Sequence, residues 1–319
     1  VSPSCGAPHR ERRSEGYMHR FFLLVLLLTT APLLHAHDKT PWGDPDLQGV
    51  WSNQTPTPLE RPDALAGKTT LSEQEATELE KTSLERLLTV FTREVPISGE
   101  LNEIWLETAK GRVPPGRGTS LIVDPPNGKV PFTTEGQKRW DAVPKIGKPM
   151  QANGPEDRTQ AERCITTDGL LVPNPFYNNY FEIVQAPGYV AIVTEMMHET
   201  RVIPLDPQPR VGSSVRMWSG DSRGWWEGET LVVETTNFND QKRFRGASEQ
   251  LHLVERFTRL GADTIEYRLT VTDPVTFAKP WTLVNGLWRA DDGIYEVACH
   301  EGNIGLKGIL AGARAQERQ

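Results

Sequence analysis

The sequence predicts a mainly β protein, an antiparallel lipocalin-like barrel, with a β-sandwich as the alternative fold. Its second half holds many short segments in which apolar and polar residues alternate, separated by turn-forming residues. Long helices do not alternate with these segments, which argues against a parallel sheet. The predicted strands are Tyr180–Gln185, Tyr189–Glu195, Thr200–Leu205, Val215–Ser219, Thr230–Thr236, Leu251–Arg259, Thr264–Thr272, Trp281–Trp288 and Ile294–Cys299.

The part of the chain before these strands has a different character. Residues 37–174 are predicted to form an extended arm and a helical, loop-rich segment, residues 175–304 the barrel, and residues 305–319 a C-terminal tail. The clearest helix begins at Ser72, because Ser72 and Glu75 fit a capping box and apolar residues then recur at helical spacing. The other elements expected here are helices at Ser72–Phe91, Thr133–Asp141 and Pro155–Arg163 and strands at Gln48–Ser52 and Ser120–Asp124.

The first 36 residues read as a targeting segment. Met18 is followed by a basic residue, a short apolar run and the small residue Ala36, which is typical of a secretory signal peptide over residues 18–36. The run is shorter than the roughly 20 apolar residues of a membrane span, and an uncleaved anchor is the alternative. We interpret residues 1–17, which are polar and Arg-rich, as an over-extended start. We therefore expect a periplasmic or secreted protein.

Charge and missing motifs exclude several classes of function. The net charge is −7, and removal of residues 1–36, which carry four Arg and two Glu, takes it to −9. We therefore expect no nucleic-acid partner and no membrane association after signal cleavage. The sequence has no Gly-x-Ser-x-Gly elbow, phosphate loop, dinucleotide fingerprint or His-Glu-x-x-His pair. We expect a small-molecule ligand or substrate and no organic cofactor; the pattern predicts no particular oligomeric state.

Two cysteines remain after the predicted cleavage. Cys164 and Cys299 are 135 residues apart, and Cys5 lies in the segment that is removed. In an oxidising compartment two such residues favour a disulfide, which would close a long loop. Two buried free thiols are the alternative.

Strand alternation selects the candidate catalytic residues. Side chains in a strand point alternately to opposite faces, and the more apolar face of each strand should face the barrel interior. On this basis His198, Glu255 and Glu301 are predicted to point inward. The same alternation places His252 and His300 on the outside. A single β-bulge would reverse any one of these assignments.

One histidine with two carboxylates inside an apolar barrel is a workable acid–base set. Burial raises the pKa of a carboxyl, and an inward carboxylate orients a histidine or shares its proton. His198 is the candidate general acid or base, and Glu255 and Glu301 would orient it or supply the second proton transfer. In the structural alternative, Glu255 pairs with Arg256 or another arginine at the rim, and His198 is a satisfied core histidine. The same three residues also form a conceivable zinc or iron site.

A second group of residues is predicted to bind the substrate. Asp221 and Arg223 lie in a predicted turn beside Trp226, and loops at a barrel mouth often carry binding residues. A tryptophan there could stack on a ring of the ligand. Arg201 would hold an anionic group, and Tyr267 completes the candidate set. The alternative is a turn in which Asp221 caps its own backbone, with the tryptophans packed on the core.

Four stretches carry a resemblance to a known family. They read PWGDPDLQGVW at residues 41–51, GDSRGWWEGETLVVETTNF at 220–238, HLVERFTR at 252–259 and YEVACHEGN at 295–303. As a set they resemble a family of exported hypothetical proteins that occurs in many copies in soil bacterial genomes. The resemblance covers nearly the whole chain after residue 36. It implies export and no particular activity.

These observations lead to three hypotheses for function. The first is an exported, cofactor-free hydrolase, lyase or isomerase that applies acid–base chemistry to a small cyclic or aromatic organic molecule inside the barrel. The second is a non-catalytic, lipocalin-like protein that binds a small molecule. The third is a metal-dependent enzyme built on the same inward residues.

Overall fold

Nine strands form one continuous antiparallel sheet that curls into a nearly closed barrel, and a tenth, short strand pairs with one of them off this path. The computed structural model describes residues 39–94, 111–143, 152–166, 170–173, 179–205, 209–241, 244–291 and 293–318. The predicted signal segment lies outside these residues. Strands follow the order β5-β4-β3-β1-β10-β9-β8-β7-β6 around the sheet. Their bounds are β1 Gly49–Ser52, β2 Ile122–Asp124, β3 Tyr180–Ala186, β4 Tyr189–Thr194, β5 Thr200–Pro204, β6 Asp221–Glu227, β7 Thr230–Thr236, β8 His252–Gly261, β9 Thr264–Thr272 and β10 Trp281–Arg289.

The predicted antiparallel barrel is therefore confirmed over the β-sandwich alternative. The last gap lies between β5 and β6, which run in the same direction and pack through side chains. Gly224 makes this approach possible, because a Cβ added there would lie 2.8 Å from Leu205 Cδ2 and 3.0 Å from Ile203 Cγ2. A side chain at residue 224 would push the two edge strands apart. The absence of a side chain at Gly224 thus lets β5 and β6 pack against each other, although their backbones are not paired in the sheet.

Two strands of the barrel come from the N-terminal part of the chain. β1 pairs with β3 on one side and with β10 on the other, so it lies inside the sheet and not on an arm around it. β2 pairs with the same edge of β10 as β1 does, but at the other end of the strand. The barrel predicted for residues 175–304 alone was incomplete for this reason.

Three predicted elements differ from the structure. Val215–Ser219 is not a strand and contributes only one isolated bridge, between Met217 and Phe238. Ile294–Cys299 lies outside the sheet. The predicted helix at Pro155–Arg163 is only a short 3-10 turn at Pro155–Asp157. In addition, the predicted C-terminal tail contains a helix, α3, at Ile304–Gln316.

The interior of the barrel is filled by large side chains. Alternate residues of β8 and β9 are buried, which is the pattern expected when one face of a sheet forms the core. The largest fully buried side chains are Trp51, Trp281, Tyr267, Phe181, Phe238 and Phe257. A barrel of about this size is just wide enough for its own side chains. In this conformation the centre of the barrel is therefore core.

The two N-terminal helices begin where the sequence predicts. α1 spans Glu73–Glu94, and its capping box is formed: Ser72 N–H donates to Glu75 Oε2 at 2.8 Å, and Glu75 N–H donates to Ser72 Oγ at 3.2 Å. α2 spans Thr134–Ala142 and is capped by Thr133, whose hydroxyl accepts from Gly136 N–H at 2.8 Å. Among the described residues no helix is long and apolar enough to cross a membrane.

Replacing Gly136 by alanine is expected to destabilise the protein, although alanine is the better helix former. A Cβ at residue 136 would lie 1.9 Å from the carbonyl oxygen of Thr276, so α2 would have to move off the β9–β10 connection. We expect the free energy of unfolding to fall by about 1–3 kcal/mol, measured by urea denaturation. Gly308→Ala is the matched control, because nothing lies within 4 Å of that Cβ. It should leave stability unchanged or raise it by up to about 1 kcal/mol.

Candidate functional site

The two ends of the barrel differ in how the strands are connected. At one end, which we call the hairpin end, only two residues each join β3 to β4, β6 to β7 and β8 to β9. The other end, the loop end, carries the β4–β5 turn at residues 195–199 and the longer connections at 237–251 and 273–280. Binding residues concentrate on loops that a rigid scaffold positions. We therefore expect a binding site at the loop end.

A charged cluster lies inside the barrel beneath the loop end. Arg201 of β5 forms two hydrogen bonds with Glu255 of β8, Nη1 to Oε2 at 2.6 Å and Nη2 to Oε1 at 2.9 Å. The Tyr267 hydroxyl of β9 donates to Glu255 Oε1 at 2.9 Å. All three side chains are buried, Glu255 and Tyr267 completely. We call Arg201, Glu255 and Tyr267 the buried triad.

The electrostatics of the buried triad keep it paired and neutral overall. Burial alone would lower the pKa of Arg201, but the charge and hydrogen bonds of Glu255 raise it above its ordinary value. Burial, together with the charge of Glu255, raises the pKa of Tyr267 well above its ordinary value, so its hydroxyl remains a donor. The nearby backbone N–H of Leu171 partly counters this rise in the pKa. Two of the predicted binding residues, Arg201 and Tyr267, are thus joined to one predicted catalytic residue.

One donor of the buried triad remains unused. Arg201 Nε is buried and has no hydrogen-bond partner among the described residues. Its two Nη groups are already occupied by Glu255, so the predicted role of Arg201 in holding an anionic group is wrong for this arrangement. An unpaired N–H in the interior costs free energy, typically about 1–3 kcal/mol. A group with such a cost is a candidate contact for a ligand.

His198 does not point into the barrel, contrary to the prediction. Its inward facing assumed that the alternation of the strand at Tyr189–Glu195 continues to His198, but β4 ends at Thr194 and His198 lies exposed in the β4–β5 turn. Met197 and His198 both have positive φ angles, 63° and 50°, which are uncommon for residues with side chains. The turn reverses the alternation, so that Arg201 becomes the inward residue on β5, pairing across from Ile192.

The sequence analysis also predicted whether four other side chains point into or out of the barrel, and three of these predictions are confirmed while one is wrong. Glu255 is inward and fully buried, and His252 is on the outside, where its Nε2 lies 2.7 Å from Glu234 Oε1. His300 is exposed as expected. Glu301 was predicted inward but is exposed, because its segment is not a strand of the barrel. The predicted acid–base set of His198, Glu255 and Glu301 is therefore not assembled.

The same separation applies to the metal alternative. Glu255 is enclosed by the barrel, whereas His198 and Glu301 are on the surface, so these three residues do not share a coordination site. Within the part of the chain that the structure describes, no group of three or more His, Cys, Asp or Glu side chains is arranged to hold a metal ion.

Asp221, Arg223 and Trp226 belong to a strand and not to the predicted turn. Asp221 opens β6, pairs with Arg223 at 2.5 Å and accepts from Val211 N–H at 3.2 Å. Both carboxylate oxygens are thus used in local structure. Trp226 is partly buried and packs on the core; its Nε1 has no partner among the residues described. Asp221 and Arg223 are thus engaged in local structure, but not in the turn of the structural alternative, in which Asp221 would cap its own backbone.

Sequence reasoning missed Glu195, which is a buried carboxylate in the β4–β5 turn. It is only 5% exposed, and its Oε1 accepts from Tyr295 N–H at 3.1 Å. Burial raises its pKa, which the Tyr295 hydrogen bond and the nearby His198 partly counter. Glu195 would have stood out if the turn at residues 195–199 had been recognised from the sequence. This turn contains no Gly, Pro, Asn or Asp, so the sequence does not indicate it.

Two segments of chain cover the loop end above the buried triad. The first, residues 160–166 and 170–173, brings Leu171 into the core and places the Thr166 hydroxyl 2.6 Å from Glu199 Oε2. The second, residues 293–303, contacts the β4–β5 turn, and we call it the strap. A disulfide between Cys164 and Cys299 joins the two segments, which confirms the predicted pairing.

Comparison with known proteins gives little beyond this. No family model and no curated protein matches the chain. One solved structure that matches in part is a secretary abundant heat soluble (SAHS) protein from Ramazzottius varieornatus, with a TM-score of 0.23, 9% identity and coverage of 35% of this chain and 70% of that chain. A variant of the fluorescent protein UnaG also matches, with a TM-score of 0.23, 15% identity and coverage of 44% of this chain and 90% of that one. We base the fold assignment on the strand pairing itself.

Proposed function

We propose that the protein is an exported, non-catalytic barrel that binds a small, uncharged cyclic or aromatic molecule at its loop end. The observation that supports this most is the unpaired Nε–H of Arg201, held by Glu255 in the buried interior of the barrel. Such a donor favours a ligand that brings a carbonyl, ether or hydroxyl oxygen. Catalysis by His198, Glu255 and Glu301 is not part of this proposal, because these residues lie apart.

The charges around the buried triad disfavour an anionic ligand. Arg201 is the cation of the triad, whereas Glu255 lies within it and Glu199 and Glu195 lie in the turn above. The excess of carboxylates, in a mature chain of net charge −9, makes the local potential negative. An uncharged molecule avoids this repulsion and still satisfies the Nε–H donor.

Leu171 marks the place that the ligand would take. Its side chain is 2% exposed in the core at the loop end, and its N–H lies near the Tyr267 hydroxyl. If residues 170–173 move outward, the apolar volume of Leu171 and the space beside the Tyr267 hydroxyl become available together. Export agrees with the Cys164–Cys299 disulfide, since such bonds persist in oxidising compartments.

A dye-binding experiment tests the proposal. The purified protein is titrated with Nile red, a neutral polycyclic dye that carries a carbonyl, and its fluorescence is followed. Leu171→Ala should strengthen binding by vacating the site, whereas Leu170→Ala, which changes a neighbour that is only partly buried, should not. Arg201→Met combined with Glu255→Met should weaken binding by about tenfold or more, because the charged donor is lost.

The matched control is an exposed pair of the same type. Arg256 and Glu227 form an ion pair at 2.8 Å on the barrel surface, and changing both to Met should leave dye binding unchanged. The anionic dye 8-anilinonaphthalene-1-sulfonate should bind more weakly than Nile red. Equal loss of Nile red binding in the two double variants, or no saturable binding at all, would overturn the proposal.

A further inference from the structure

Two backbone hydrogen bonds fasten the strap to the β4–β5 turn. Tyr295 N–H donates to Glu195 Oε1 at 3.1 Å, and Val297 N–H donates to His198 Nδ1 at 3.3 Å. The two donors are two residues apart, so both lie on the same edge of the strap. The two acceptors are side chains that titrate. The strap is thus held at this point by groups whose ability to accept depends on pH.

The rest of the strap is attached independently of these two hydrogen bonds. Cys299 is bonded to Cys164, and Asn303 Nδ2 donates to the carbonyl oxygen of Glu162 at 2.9 Å. Beyond the strap, Arg314 of α3 donates to the carbonyl oxygens of Ala152 and Asn153. Loss of the Tyr295 and Val297 bonds would therefore free one edge of the strap and leave its far end tethered.

Protonation affects the two acceptors, His198 Nδ1 and Glu195 Oε1, in different ways. A neutral imidazole nitrogen accepts a hydrogen bond only while it carries no proton, and in the imidazolium both nitrogens are donors. His198 Nδ1 would then face the Val297 N–H donor to donor. Glu195 takes up a proton at a higher pH than an ordinary glutamate, since burial raises its pKa. A neutral carboxyl is the weaker acceptor.

We propose that the strap and the β4–β5 turn form a proton-operated latch over the ligand site, closed near neutral pH and opened by mild acid through His198 and Glu195. Its role in ligand entry rests on the proposed function; the latch itself does not. The positive φ angles of Met197 and His198 support it, because this uncommon conformation persists only while neighbouring contacts hold the turn. Opening lets the turn relax.

The other charged groups around the turn remain paired when the latch opens. Within the turn, Glu199 accepts from Thr166 and Ser219. Inside the barrel, Arg201 is paired with Glu255, and Tyr267 donates to the same carboxylate. The segment below the strap contributes Arg158 and Glu162, paired at 2.5 Å, with hydrogen bonds that lower the pKa of Glu162 against the opposing effect of burial. On the strap itself, Glu296, His300 and Glu301 are exposed.

Hydrogen–deuterium exchange of the strap amides tests the latch without any ligand. Exchange is measured at about pH 7.5 and about pH 5, a range over which histidine side chains in general change charge, and is corrected for intrinsic rates. In the wild-type protein, protection at Tyr295 and Val297 should fall by about fivefold at the lower pH, the effect of one hydrogen bond. In His198→Asn this fall should be much smaller, since an amide oxygen accepts at both pH values and Asn tolerates positive φ.

Two further variants complete the test. Combining His198→Asn with Glu195→Gln should remove the pH dependence entirely, whereas His300→Asn, which changes an exposed histidine of the same strap, should behave like the wild type. Amides of β8 and β9 serve as the check that each variant is folded. The latch is disproved by equal protection of the wild-type strap at both pH values, or by an undiminished fall in His198→Asn. Either result leaves Nile red binding as a separate question.

Discussion

Arg201→Met is expected to lower the free energy of unfolding by about 3–5 kcal/mol, one of the two largest effects that we predict. The substitution leaves the Glu255 carboxylate fully buried without its cation, with only the Tyr267 hydroxyl donating to it. An uncompensated charge in the interior is far more costly than a missing ion pair. Urea denaturation followed by tryptophan fluorescence measures the loss.

The double variant Arg201→Met and Glu255→Met separates the cost of an orphaned charge from the value of the pair. With both charges gone, most of the lost stability should return, because an apolar pair of similar size suits the surrounding core. The exposed pair of Arg256 and Glu227 is the control, and changing Arg256 alone should have little effect, since solvent screens that pair. If Arg201→Met were as mild as the Arg256 change, the triad would not be the buried charge pair described here.

The inward position of Glu255 could be predicted because β8 is regular around it. Leu253, Glu255 and Phe257 alternate along the part of β8 that precedes its register shift between residues 259 and 261, so they share one face, and His252 falls on the other. The sequence also allowed an arginine as the partner of Glu255. It could not identify Arg201, which is 54 residues away and meets Glu255 only when the sheet curls.

His198 and Glu301 could not be placed from the sequence, for two different physical reasons. The residues from Glu195 to Glu199 form a turn without any of the usual turn-forming residues: Met197 and His198 have positive φ, and the backbone N–H of Thr194 donates to the carbonyl oxygen of Glu199 across the turn. Glu301 follows a segment that alternates like a strand but finds no partner strand, since β1 already occupies that edge of β10. The second outcome depends on contacts between distant segments.

The position of β1 has the same origin. Four residues, Gly49–Ser52, read as a short strand, but their local pattern does not say which strands they join. The structure inserts them between β3 and β10, with Trp51 fully buried. Local alternation thus predicted most strands, whereas the closure of the barrel depended on pairings over more than 200 residues of sequence.

Removing the Cys164–Cys299 disulfide is expected to have the other large effect. The bond closes a loop of 135 residues that contains every strand of the barrel except β1 and β2. On the chain-entropy model, cutting such a loop stabilises the unfolded chain by about 4–5 kcal/mol. Cys164→Ala combined with Cys299→Ala avoids leaving a free thiol, and its urea midpoint is compared with that of the oxidised wild type.

Reduced wild-type protein is the internal control, because it should match the double alanine variant within error. The loss should appear in the unfolding of the whole barrel and not only in the strap, since the constraint acts on the unfolded form of eight strands. The strap should in addition exchange faster in the variant, because Asn303 and α3 alone then hold its far end. An unchanged urea midpoint would contradict this account and would mean that the unfolded chain already keeps residues 164 and 299 close together.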